Sequence, residues 1–208
     1  MGCRTSRLVK VATVALACGW FASHAARAAD ARGNFAVNGI GATSCADTVN
    51  AINHGQVAVR AELSSWLMGY ISALNRVDPN TFDIVPVQSA NAMTNLVVNI
   101  CAKNGKAMVA GVANSIIDTL KLGAIHTSSP LVTASFGGKS VAIRETTLKR
   151  LQTYLKKHKY LSGPVDGQFG PSTQAAIKAF QVKQKLVVNS LPDAETVIQA
   201  VVVPAMKK

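Results

Sequence analysis

The stretch 160–173, YLSGPVDGQFGPST, decides the fold of the C-terminal part of this chain. It holds three glycines and one carboxylate, and Pro171 falls where the first turn of a helix tolerates proline. Before this stretch, Leu148, Leu151 and Leu155 recur at helical spacing. After it, a second stripe of helical period consists of Thr173, Ala176, Ile177 and Phe180. The pattern predicts two amphipathic helices joined by an ordered loop.

A longer series of residues at fixed spacing surrounds this loop, over residues 144 to 202. It comprises Leu151-Gln152, Leu155, Tyr160, Val165-Asp166-Gly167, Phe169-Gly170-Pro171, Thr173, Ala176-Ile177 and Phe180-Gln181. In this series the chain resembles the peptidoglycan-binding domain common in cell-wall hydrolases. The resemblance implies a small three-helix module, placed at residues 144–208, that grips glycan or stem peptide without cutting it.

The same resemblance implies a set of ligand-binding residues and shows one departure from the family pattern. The implied set is Tyr160, Asp166, Gly167, Phe169, Gly170, Thr173 and Gln181. The departure is the segment 189–191, Asn-Ser-Leu, which stands where the family usually repeats an Asp-Gly turn. A third helix is still predicted from the stripe Ala194, Val197, Ile198 and Val201.

The amino terminus predicts a secretory signal peptide at residues 1–28. Three basic residues occur before residue 11, followed by an uncharged run over 11–26 and the small-residue site Ala26-Arg27-Ala28. As a helix that run spans roughly 24 Å, less than a hydrocarbon core of about 30 Å, so no stable membrane span is expected. Lipidation at Cys18, which follows Ala15-Leu16-Ala17, is the weaker alternative. Cleavage after residue 28 leaves Cys45 and Cys101, a pair that predicts one disulfide in an exported chain.

Charge divides unevenly along the chain. The formal net charge is +12 for the whole sequence and +8 without residues 1–28. Residues 29–125 hold six basic and six acidic side chains, whereas residues 139–208 hold twelve basic and four acidic ones. The basic face of the first C-terminal helix is either simply solvated or attracts an anionic wall polymer; it consists of Lys149, Arg150, Lys156 and Lys157. Export and the lack of interleaved aromatic residues argue against nucleic acid as a partner.

Residues 29–122 predict a disulfide-bonded domain of four helices, or three. Its apolar stripes are Val59, Leu63, Trp66 and Tyr70; then Met93, Leu96, Val97 and Ile100; then Val109, Val112, Ile116 and Leu120. We expect Trp66 and Tyr70 to belong to the core. Over residues 43–121 the cysteines, Trp66-x-x-Gly69-Tyr70, Asn75, Asp83 and Cys101-x-x-Asn104 resemble the HdeA-type periplasmic acid-stress chaperone family. That resemblance implies a small all-α periplasmic domain and, in some relatives, binding of unfolded client proteins.

Residues 123–143 predict a flexible linker, because they are rich in Ser, Thr and Gly and carry only Lys139 as a full charge. The expected fold is therefore all-α, with two small helical domains that act independently.

No catalytic residue, metal or cofactor is expected. His54, His126 and His158 do not cluster in sequence with carboxylates, as a zinc hydrolase would require. Asp166 has no second carboxylate nearby for glycosidase chemistry, and Asp in such a turn more often accepts hydrogen bonds from the backbone. The sequence thus predicts an exported, non-enzymatic protein, periplasmic or wall-associated, that binds peptidoglycan. The alternatives are an acid-stress chaperone held at the wall and an inhibitor or immunity protein directed against a wall-degrading enzyme.

Overall fold

The computed structural model describes residues 35–207, and every element named below lies within one compact unit, Val37–Lys208. The predicted signal peptide, with Cys3 and Cys18, lies outside the described residues. Across residues 35–207, no helix combines the length and the apolar character needed to cross a membrane.

Four helices form the first half of this unit, as the sequence predicts. They are α1 (Cys45–Asn53), α2 (Val57–Val77), α3 (Ala90–Cys101) and α4 (Val109–Leu120). Side chains cap two of them: the Ser44 hydroxyl accepts a hydrogen bond from the Asp47 amide at 3.1 Å, and that of Ser89 accepts one from the Ala92 amide at 3.2 Å. Such caps satisfy amides that the first turn of a helix leaves without partners.

The buried face of α2 differs from the predicted stripe. Leu63, Leu67 and Ile71 point into the core, whereas Trp66 and Tyr70 are half-buried at its rim and stack on each other with ring centroids 5.2 Å apart. A four-residue step keeps the first three side chains on one side of the helix and places the aromatic pair beside them. The expectation that Trp66 and Tyr70 are core residues is therefore only partly met.

The stripes of α3 and α4 agree better with the structure. Met93 and Val97 are buried on α3, although Ile100 is 38% exposed, and all four predicted positions on α4 are buried. A disulfide joins Cys45, the first residue of α1, to Cys101, the last residue of α3, with Cα atoms 4.8 Å apart. The predicted bond is thereby confirmed.

An antiparallel hairpin occupies most of the predicted linker. Its strands are β1 (Leu131–Phe136) and β2 (Lys139–Arg144), with Leu131 opposite Arg144 and Phe136 opposite Lys139. Gly137 and Gly138 both have positive φ, at 58° and 75°, which is the backbone of the two-residue turn that best matches strand twist. The Gly-Gly pair that suggested flexibility is thus a tight turn. This corrects the flexible linker expected at 123–143 and adds a two-stranded sheet to an otherwise helical fold. The boundaries proposed for separate domains stay a prediction.

The C-terminal module, residues 144–208, contains the three expected helices. These are α5 (Glu145–Lys157), α6 (Pro171–Gln184) and α7 (Ala194–Val197), the last of which continues as a π-helical turn, Ile198–Val202. The predicted stripes of α5 and α6 are buried throughout. In the third helix Val197 is buried as predicted, but Ala200 and Val202 are buried in place of Ile198 and Val201. A π turn has more residues per turn than an α-helix, so it rotates the later side chains away from the predicted face.

Two arginines tie this module to the residues that precede it. Arg144 Nε donates to Asp83 Oδ2 at 3.0 Å, Arg144 Nη1 donates to the Ser129 carbonyl at 3.1 Å, and Asp83 is only 3% exposed. Arg150 Nη1 donates to the carbonyl oxygens of Gly123 and Ala124 at 2.9 and 2.8 Å. Arg150 is therefore more than part of a solvated basic face, because it bonds the end of one region to a helix of the next.

Candidate functional site

The loop between α5 and α6, residues 158–170 and here called the first loop, is held from inside by one buried glutamine. Gln152 has no exposed surface. Its Nε2 donates to Asp166 Oδ1, the Gln168 carbonyl and Thr173 Oγ1 at 3.0 to 3.1 Å, and its Oε1 accepts from the Gly167 amide at 2.8 Å. A side-chain amide suits this position because it offers both donors and an acceptor without a charge. The first loop is consequently an ordered structure.

Asp166 closes the turn at the surface. Its Oδ1 accepts a hydrogen bond from the Gln168 amide at 2.8 Å, and its side chain is exposed. The hydrogen bond from the Gln168 amide, followed by that from Gln152, lowers the pKa of Asp166 below its ordinary value. The carboxylate is therefore charged at neutral pH, with Oδ1 bound internally.

Position 167 requires glycine for two reasons, its backbone conformation and the lack of room for a side chain. Its φ is +77°, and a Cβ there would lie 2.6 Å from Glu145 Cγ and 3.0 Å from Lys149 Cε. Glycine adopts positive φ without the steric cost that other residues meet. Gly170 is different: its φ is −101° and a Cβ would meet nothing within 4 Å. Gly170 thus leaves open space beside the start of α6.

The two aromatic residues expected at the ligand are half-buried. The Tyr160 ring meets the buried Phe180 ring edge-on, with centroids 5.8 Å apart, and Phe169 packs against the same core from the first loop. Each ring contributes to packing on one side and has surface on the other. Thr173, in contrast, is 2% exposed, and its hydroxyl donates to the Gln168 carbonyl at 3.3 Å.

The loop between α6 and α7, residues 185–193 and here called the second loop, repeats this arrangement around Gln181. The Gln181 side chain is fully buried. Its Nε2 donates to Asn189 Oδ1, the Leu191 carbonyl and Thr196 Oγ1 at 2.8 to 3.0 Å. Its Oε1 accepts from the amides of Asn189 and Ser190 at 3.0 and 2.9 Å. Gln181 therefore organises the second loop and, like Thr173, has no side-chain surface for a ligand.

The two loops correspond residue by residue, whereas the sequence analysis matched only the turn at 189–191 and missed the shared glutamine network. Asn189 takes the place of Asp166 and accepts from the Leu191 amide at 2.8 Å. Ser190 takes the place of Gly167, with φ of +59°, a conformation unfavourable for a residue with a side chain. The departure at 189–191 therefore keeps the turn and changes its chemistry. Two sequence signals could have revealed the repeat: an apolar-Gln pair on each helix, and a Thr seven residues after each turn residue.

The structure thus brings Tyr160, Asp166, Phe169 and Gly170 to accessible positions on one loop, and it buries Gly167, Thr173 and Gln181 behind them. Their contact with a ligand stays a prediction. Over residues 35–207, no three His, Cys, Asp or Glu side chains lie together as a metal site would require.

Comparison with known proteins identifies one family. Residues 144–199 match the family model described as "Putative peptidoglycan binding domain". No curated protein and no solved structure matches the chain, and these comparisons give no support to the HdeA-type resemblance of residues 43–121. The matched segment begins at the N-terminal cap of α5 and ends in the third helix, so it includes both glutamine-held loops. In this mostly helical, disulfide-bonded protein, residues 144–199 are therefore similar to the peptidoglycan-binding family, and the match supports a peptidoglycan-binding domain there.

Proposed function

We propose that the chain is an exported, non-enzymatic protein that binds peptidoglycan through its C-terminal module and resides at the cell wall. The observation that carries this proposal is the family match over residues 144–199, which coincides with three helices and two loops ordered by buried hydrogen bonds. Preorganised loops favour binding because little conformational freedom is lost when a ligand arrives.

Charge supports the same proposal. Residues 139–208 carry twelve basic and four acidic side chains, and all three lysines of α5, Lys149, Lys156 and Lys157, are exposed. A basic surface attracts an anionic polymer over a distance set by salt, about 8 Å at physiological ionic strength. Attraction of this kind increases the rate of encounter, whereas specificity requires close contacts.

We place those contacts at the accessible side of the first loop, around Asp166, Phe169 and Gly170. The free oxygen of the Asp166 carboxylate can accept hydrogen bonds from glycan hydroxyls or peptide amides, and the exposed part of Phe169 offers an apolar surface. The open space at Gly170 allows a ligand to approach the backbone closely. Gln152, Thr173 and Gly167 position these groups from behind.

Co-sedimentation of the full chain with purified sacculi tests the proposal. We expect retention that persists in 1 M salt, where the screening length falls to about 3 Å, because close contacts survive when long-range attraction does not. Gly170→Leu should reduce retention by filling the approach to the loop without disturbing the fold. Ala179→Leu, on the exposed side of α6, is the matched control and should be retained like the unchanged chain.

Four outcomes would count against parts of this proposal. Absence of retention contradicts peptidoglycan binding. Retention that disappears in salt shows that charge alone acts, and equal retention of the two leucine variants removes the first loop from the contact. Release of soluble fragments from labelled sacculi would contradict the non-enzymatic assignment.

A further inference from the structure

A second concave surface lies away from the first loop, where three parts of the chain meet. It is a cleft of about 410 Å³, within the range of roughly 300 to 1,000 Å³ found for small-molecule sites. Leu122 and His126 enter it from the segment after α4, Tyr154 and Lys157 from α5, and Pro204 from the chain end. Because the segment after α4 precedes residue 144, the cleft does not belong to the family-matched residues alone.

The polar residues of the cleft are strongly biased in sign. Arg150, Lys157, His126 and His158 line it, and its lining contains no aspartate or glutamate. Among residues 35–207, none of these four side chains forms an ion pair. A cleft with basic side chains and no internal counter-charge attracts anions, since low-dielectric walls concentrate the field.

The basic groups are held in place by different means. Arg150 is fixed by its two bonds to the carbonyls of Gly123 and Ala124. His126 Nδ1 is hydrogen-bonded to the Asn80 carbonyl at 2.7 Å, so its Nε2 is the nitrogen left for a ligand. Lys157 is exposed at the end of α5 and can move toward a bound anion. The cleft thus combines a fixed guanidinium and a fixed imidazole with one mobile cation.

Apart from Thr153 and Tyr154, the remaining lining is aliphatic and suits a peptide better than a sugar ring. Leu122, Val201 and Pro204 give it an aliphatic surface. Sugars commonly stack on the open face of an aromatic ring, but the Tyr154 ring lies against the His158 imidazole, with centroids 4.2 Å apart. Short aliphatic side chains next to a carboxylate match this surface in both shape and charge.

We propose that this cleft binds a carboxylate of the peptidoglycan stem peptide, with its alanine methyl groups against the aliphatic wall. That the carboxylate comes from peptidoglycan rests on the proposed function. The cleft is a contact additional to the first loop, and it is complete only when the segment after α4 packs against α5. A charge-assisted hydrogen bond from Lys157 would provide most of the recognition.

Titration calorimetry of the full chain tests this inference with defined soluble probes. The probes are a disaccharide-tetrapeptide released from sacculi, the free tetrapeptide, the same tetrapeptide with its carboxyl groups converted to amides, and an N-acetylglucosamine oligomer. We expect the first two to bind and the amidated peptide and the oligomer to bind at least tenfold more weakly. Lys157→Gln should weaken binding of the tetrapeptide about threefold to tenfold, as expected for loss of one charge-assisted contact. Lys178→Gln removes the same charge from an exposed position outside the cleft and should have no effect.

The results separate failure of the cleft from failure of the proposed function. The assignment of the cleft as a carboxylate site is overturned if the acid and amidated peptides bind equally. It is also overturned if the two lysine variants lose the same amount of affinity for the tetrapeptide. If the chain is retained on sacculi but binds neither the disaccharide-tetrapeptide nor the free tetrapeptide, the cleft assignment is overturned and the proposed function is left intact. If the chain is not retained on sacculi, the proposed function fails, and the peptide titration alone decides whether the cleft binds carboxylates. Shifts of the Tyr154 and His158 ring resonances on titration locate the bound peptide.

Discussion

Two buried glutamines carry the order of both C-terminal loops. Gln152 and Gln181 are fully buried, and each divides its hydrogen bonds between a turn residue, a carbonyl and a threonine hydroxyl. A buried amide stabilises only when its donors and acceptor are satisfied, because an unpaired buried polar group costs about 1 to 3 kcal/mol. At the scale of single residues, the order of each loop therefore depends on its buried glutamine having all of its hydrogen-bond partners.

Gln152→Ala should destabilise the protein by about 2 to 4 kcal/mol, because it creates a cavity and leaves the Gly167 amide without its acceptor. Urea unfolding measures the change. Gln184→Ala removes an exposed glutamine at the end of α6 and should change stability little. Equal effects of the two substitutions would mean that the buried network contributes nothing beyond helix propensity.

Asp166→Asn should separate the shape of the turn from its charge. Asn189 shows that an amide oxygen can close the equivalent turn, so stability at pH 7 should stay close to that of the unchanged chain. Because hydrogen bonds from Gln168 and Gln152 lower the pKa of Asp166, its ionised form stabilises the folded state above the ordinary Asp pKa of about 3.9. That contribution disappears as pH falls through the lower, folded-state value.

The measurement is the melting temperature of both proteins between pH 7 and pH 2, with the Asp166 carboxyl carbon followed by NMR. We expect the unchanged chain to lose more stability than the variant below about pH 4. Parallel curves would show that the ionisation of Asp166 has no influence on the loop.

At the scale of elements, the disulfide fixes the start of α1 to the end of α3. It joins the first residue of α1 to the last residue of α3 across a sequence separation of 56, and both cysteines are buried. Closing such a loop restricts the unfolded chain most of all. The bond therefore acts on helix arrangement more than on the formation of any one helix.

Replacing both cysteines, Cys45→Ala with Cys101→Ala, should lower the free energy of unfolding by about 4 kcal/mol, as the chain-entropy estimate gives for a loop of this length. Guanidinium unfolding under oxidising conditions provides the comparison. The unchanged chain should show no free thiol at these positions in the non-reduced state. An unchanged midpoint, or two reactive thiols, would contradict the expectation.

At the scale of the whole molecule, the ion pair between Asp83 and Arg144 connects the loop after α2 to the strand that leads into the C-terminal module. Gln88 Nε2 also donates to Asp83 Oδ2, at 3.0 Å, and the Arg144 guanidinium lies 5.1 Å from the centre of the Phe82 ring. Asp83 is separated from Arg144 by 61 residues. This contact and the Arg150 bonds join regions that the sequence suggested were independent.

Arg144→Ala should cost about 3 kcal/mol, because it leaves the buried Asp83 carboxylate without its cation. Hydrogen exchange should increase at the Glu145 and Thr146 amides, which donate to the Pro130 carbonyl and the Ser129 hydroxyl, and in the hairpin before it increases in α1 to α4. Lys139→Ala, on the same strand and exposed, is the control and should leave both measurements nearly unchanged. If the Arg144→Ala variant unfolds in the same single transition and its amide hydrogen exchange is unaltered, the ion pair does not stabilise the connection between the two regions.

The amino-acid sequence by itself determined the features that depend on neighbours within a few residues. The stripes of α4, α5 and α6, the ordered turn around Asp166 and Gly167, and the pairing of the two cysteines in residues 35–207 were all predictable. Helical period and turn chemistry are local, so they are visible without knowledge of the fold. The family resemblance of residues 144–199 depends on the same local pattern.

Only the tertiary structure decided the features that depend on contacts between distant residues. The segment 131–144 pairs as a hairpin, although its Ser, Thr and Gly content suggested a linker, because β pairing is determined by packing as much as by local preference. Which face of α2 is buried, how the π turn rotates the third helix, and the use of Arg150 as a donor to Gly123 and Ala124 follow from the elements that pack against them. The cleft beside Tyr154 forms for the same reason: its walls come from segments far apart in the chain, and only folding brings them together.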